Sequence, residues 1–94
     1  MSDEEIDTKF WDRADAVIEL TNAQCDDADL GQVSSSLLYA AARFSSFNVA
    51  VSALDLEELK TDKDEAIRYL TRQFATVLAE SFDDHIENYD QFKA

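Results

Sequence analysis

Ninety-four residues carry 21 acidic and 8 basic groups, for a net charge of −13. A field of that sign repels nucleic acid and anionic membrane surfaces, which argues against direct binding to either. Proline is absent and glycine occurs once, which excludes a sandwich or barrel built on many tight turns.

The chain reads as one helical domain, residues 1–94. Ser2 and Glu5 have the spacing of a capping box, and Asp7 is a second candidate start. Phe10, Trp11, Ala14, Val17, Ile18, Thr21 and Cys25 then recur at helical spacing. A first helix is predicted from about Asp7 to Asp26, with Phe10 and Trp11 in the core. The acidic stretch Asp26–Gln32 reads as a loop in which Gly31 supplies a turn conformation. Ser34 to Ser36 are the candidate N-caps of the second helix.

That helix is the most apolar part of the chain. Val33–Leu54 contains a single charge, Arg43, so most of its circumference must be buried, in its own fold or against a partner. Leu37, Ala40, Phe44, Phe47, Val51 and Leu54 form a heptad-like seam. Leu38, Ala42, Ser45, Val49 and Ser52 form a second stripe whose small residues permit close approach. Tyr39, Arg43 and Ser46 lie on the most polar face.

Asp55 and Glu58 predict a helical turn between the second and third helices. Thr61 then caps the third helix, with Asp62, Asp64 and Glu65 favoured by the dipole in its first turn. Asp64 and Arg68 have i,i+4 spacing. Ile67, Leu70, Phe74, Val77, Leu78, Ser81 and Phe82 continue an apolar face. The helix is expected to run on towards Asp90, with Ser81 and Asp84 as a place where it bends or restarts. Short connections between three such helices favour an all-α, antiparallel up-down-up bundle.

No catalytic motif emerges. His85 stands among acids, but a di-iron Glu-x-x-His pattern fails because residue 82 is Phe. Zinc needs three or four placed ligands, and one His and one Cys do not supply them. The run Asp26, Asp27, Asp29 before Gly31 fails as a calcium loop, because Ala28, Leu30 and Leu37 occupy ligand positions. Cys25 reads as a buried inert thiol. The serines lack a Gly-x-Ser-x-Gly context. No metal or cofactor is expected, and no enzyme.

Two regions remain as candidate sites. Tyr39, Arg43 and Ser46 would suit an anion or carboxylate, since a guanidinium beside a phenol matches that chemistry. Leu38, Ala42, Ser45 and Val49 would suit self-association about a twofold axis.

The strings Phe10-Trp11-Asp12-Arg13-Ala14-Asp15-Ala16 and Ser36-Leu37-Leu38-Tyr39-Ala40-Ala41-Ala42-Arg43-Phe44, with Asn88-Tyr89-Asp90, resemble a bacterial family known as domain of unknown function 3144. The resemblance covers nearly the whole chain. It implies a bacterial, single-domain, soluble protein, and it supplies no activity, cofactor or catalytic residue.

The longest uninterrupted apolar run, Leu37–Ala42, is far shorter than the ~20 residues that span a bilayer. The acidic N-terminus is unlike a signal peptide, and one cysteine fits a reducing compartment. These features lead to the expectation of a cytoplasmic, acidic, non-enzymatic interaction module that binds a protein partner or its own copy. An acidic nucleic-acid mimic that inhibits a DNA- or RNA-binding protein is one alternative. A small anion or ligand binder centred on Arg43 is the other.

Overall fold

The computed structural model describes residues 7–93. They form three long helices and one short one: α1 (Phe10–Gln24), α2 (Leu30–Ser52), α3 (Leu56–Glu87) and α4 (Tyr89–Phe92). No strand occurs among the described residues, so the all-α class holds. The chain divides into two compact units, one ending at Phe47 and the other beginning at Asn48, so the division falls inside α2.

In the first unit, α1 is shorter than predicted. It follows Lys9, which makes no side-chain capping bond, and Asp7 instead pairs with the guanidinium of Arg13. The Ser2–Glu5 box lies outside the described residues. Cys25 closes the helix, and its N–H donates to the carbonyl of Asn22 at 3.1 Å.

Helix α2 starts earlier than Ser34–Ser36, and for an identifiable reason. The Oδ1 of Asp29 accepts from the Gln32 N–H at 2.8 Å, and the Gln32 Oε1 accepts from the Asp29 N–H at 3.0 Å. This reciprocal pair satisfies two amide donors that the helix start leaves free. Gly31 therefore sits in the first helical turn, and no glycine among the described residues has positive φ. The turn role expected of Gly31 is overturned. The covered residues of this unit include Val33, 4% exposed, with Ala14, Thr21, Cys25 and Leu37 half-buried.

In the second unit, the separate helical turn predicted at Asp55–Leu59 is the first turn of α3 itself. The Asp55 carboxylate accepts from the Glu58 N–H at 2.8 Å, and the Glu58 carboxylate accepts from the Leu54 N–H. Asp55 is extended, at φ −157° and ψ 176°, as an N-cap should be. Thr61 does not cap anything. Its hydroxyl donates back to the Glu57 carbonyl at 3.0 Å, the bond available to a threonine inside a helix. With no Gly or Pro to interrupt it, one helix runs unbroken through Thr61, Ser81 and Asp84. It ends at Asn88, whose side-chain amide donates to the Asp84 carbonyl at 3.0 Å. Arg68 pairs with Glu65 at 3.3 Å rather than with Asp64.

Candidate functional site

A helix that is apolar on one face must bury that face against something. Here most of the apolar faces are uncovered. Val33 is the one buried residue among those described. Phe44 is 74% exposed, Trp11 72% and Leu54 90%.

On α2, the two stripes read from the sequence differ in cover. Ser45 and Val49 of the small-residue stripe are half-buried, whereas Leu38 and Ala42 are exposed. In the large-residue seam, Leu37 is half-buried, while Phe44, Phe47 and Val51 are exposed. Bulky side chains have more area to cover than serines, so the seam leaves more apolar surface in water.

On α3, two stripes run side by side. Leu59, Ala66, Leu70 and Ser81 are half-buried, as is Asn88 at the helix end. Ile67, Phe74, Leu78 and Phe82 lie on the adjoining stripe and are exposed. The spacing predicts one internal face for both stripes; the structure covers them unequally, with Val77, on the side of Leu70 and Ser81, itself 57% exposed. The exposed stripe continues past the helix end as a set of edge-to-face rings. His85 meets Phe92 at 5.6 Å between centroids, and Tyr89 meets Phe92 at 5.5 Å. Such stacking holds flat apolar surface in a fixed orientation. At the other end of the chain, Phe10 and Trp11 stack at 4.9 Å and 87° and are both exposed, not packed in a core.

The polar candidates are simpler. Tyr39, Arg43 and Ser46 are all exposed. The Ser46 hydroxyl donates to the carbonyl of Arg43 at 3.0 Å, a bond internal to the helix that leaves the guanidinium free to reach solvent. Among the described residues no acidic group lies within ion-pairing distance of Arg43. Cys25 is half-buried, and its Sγ donates to the Thr21 carbonyl at 3.6 Å. Among the described residues no group of three or more His, Cys, Asp or Glu side chains is placed to hold a metal. No described helix is long and apolar enough to cross a membrane.

The fold and surface define a small, acidic, all-helical chain with uncovered apolar faces. Residues 10–86 match the family model described as "Protein of unknown function (DUF3144)", and the chain belongs to that family. No curated protein and no solved structure matches it.

Proposed function

We propose that this protein is a non-enzymatic helical interaction module whose first partner is a second copy of itself. The observation that carries this reading is the uncovered apolar surface. Monomeric proteins leave single apolar residues in water without consequence, but contiguous faces of large ones mark an interface. An obligate homo-oligomer leaves such faces bare when one chain is considered alone, because its interface resembles a core cut in half.

In this reading the half-buried stripes serve an antiparallel three-helix bundle, and the exposed stripes serve assembly. The net charge of −13 opposes assembly at low ionic strength, so added salt strengthens it by screening. Sedimentation velocity across a salt and concentration series tests the proposal. A dimer or higher species that grows with salt is the expected result. A monomer under every condition refutes self-association.

A further inference from the structure

Along the second half of α3 an exposed apolar stripe runs between acidic flanks. Phe74, Leu78, Phe82, Ile86, Tyr89 and Phe92 follow each other at steps of four or three, so they stay on one side of the helix and its short continuation α4. Each is between 42% and 69% exposed. The run from Phe74 to Tyr89 is about 22 Å long, and all of it lies in the second unit. A helix spends its backbone amides internally and offers no strand edge, so recognition on this face goes through side chains.

Between Phe74 and Phe92 there is no Lys or Arg; Arg72 and Lys93 stand just outside. The acids there are Glu80, Asp83, Asp84, Glu87 and Asp90, with His85 the one basic side chain among them. Asp83 follows Phe82 and Asp90 follows Tyr89, which sets each about 100° round the helix from its ring. Asp84 precedes His85, whose ring belongs to the stripe through its contact with Phe92, and so lies about 100° round on the opposite flank. Glu80 and Glu87 add to the negative field from behind. Among the described residues none of these five carboxylates is in an ion pair. The first half of α3 does not offset them, since Glu57, Glu58, Asp62, Asp64 and Glu65 outnumber Lys60, Lys63, Arg68 and Arg72.

We infer that this face receives a basic amphipathic helix of another protein. That helix lies along the stripe with its apolar side on the rings, and its Lys and Arg side chains reach Asp83, Asp84 and Asp90. Long aliphatic stems carry a cation past the edge of an apolar contact, so these carboxylates are within reach from outside the contact itself. The stripe alone would suit many amphipathic helices; the flanks, acidic along the whole run, select a cationic one. A second copy would bring the same acids against them, which repels. A neutral apolar helix would partly dry the carboxylates and pair none of them. The inference goes beyond the self-associating reading and does not depend on it, because α2 has exposed Phe44, Phe47 and Val51 of its own beside a single charge.

Fluorescence anisotropy at physiological salt tests this, with a labelled peptide of Leu and Lys, about 18 residues long, whose leucines recur at helical spacing. The control peptide has the same residues shuffled, so it carries the same charge and forms no apolar face. The amphipathic peptide is expected to bind with a micromolar Kd, roughly tenfold tighter than the shuffled one. Phe82→Ser should weaken it about tenfold. Asp83→Asn combined with Asp90→Asn should weaken it severalfold and flatten its salt dependence. These positions are exposed, so the variants should keep the helix content of the wild type by circular dichroism; Ile86→Ser, 69% exposed, replaces Phe82→Ser if that variant unfolds. Equal binding of the two peptides reduces the face to a general negative field and overturns the inference, as does binding of neither. Amphipathic-peptide binding that Phe82→Ser leaves unchanged also overturns it. A Phe82→Ser chain that loses a dimer formed by the wild type shows that a second copy covers this face, and overturns it as well.

Discussion

If assembly completes the core, thermal stability must depend on protein concentration. The perturbation is dilution alone, with no change in sequence or buffer. For a folded dimer that melts to two unfolded chains, each tenfold dilution removes about 1.4 kcal/mol of stability per dimer. A roughly hundredfold dilution therefore removes about 2.7 kcal/mol. The unfolding entropy of two chains of 94 residues is about 0.4 kcal/mol/K near 60 °C. The midpoint should then fall by about 7 °C. Helix content followed by far-UV circular dichroism reads this directly, because α1, α2 and α3 supply nearly all of the ordered backbone. A midpoint that stays constant across the dilution, with a cooperative melt at every concentration, would mean that the single chain covers its own apolar faces. That result would refute the argument drawn from exposure of Phe44, Phe74 and their neighbours.

The remaining predictions concern single residues. Asp55→Ala should cost about 1 kcal/mol in urea unfolding, because it removes the acceptor of the Glu58 N–H, whereas Asp55→Asn should cost much less, since it caps nearly as well. Thr61→Ala should be neutral or stabilising by up to about 0.5 kcal/mol, as befits a helix interior; a loss comparable to that of Asp55→Ala would move the helix start back to Thr61. Gly31→Ala should stabilise by about 0.5 kcal/mol in a thermal or urea melt, since Gly31 lies in a helical turn and an added Cβ would meet only the Asp29 Oδ1, at 3.4 Å. Destabilisation would show that this position needs glycine. Arg43→Ala should change stability by less than about 1 kcal/mol, and isothermal titration with inorganic phosphate or acetate would show directly whether its side chain holds an anion.

The residues alone place the helices well and their ends less well. The 3.6-residue recurrence of Phe10, Ala14 and Ile18, or of Leu37, Phe44 and Val51, follows from helical geometry, and no tertiary contact is needed to see it. The helix starts depend on competition among several plausible caps. Asp29, Ser34, Asp55 and Thr61 all have side chains able to accept an amide proton. Asp29 and Asp55 prevail because each has a Gln or Glu three residues later that reaches back, which a serine followed by Leu37 or Leu38 lacks. The Asp55–Glu58 pair was visible in the sequence; that it opens a helix of 32 residues rather than a connecting turn was not.

By itself the sequence determined the helical class, the family resemblance, the acidic field and the location of the apolar stripes. These properties depend on residue type and spacing, which local geometry converts into faces without reference to the rest of the molecule. The tertiary structure decided which stripes are covered. On α3, Leu70 and Phe74 differ by one step along the same periodic pattern, yet Leu70 is half-buried and Phe74 exposed. Periodicity says that a face must be buried; it does not say whose surface buries it. That choice depends on the surfaces that meet the face, which residue spacing along one helix does not contain.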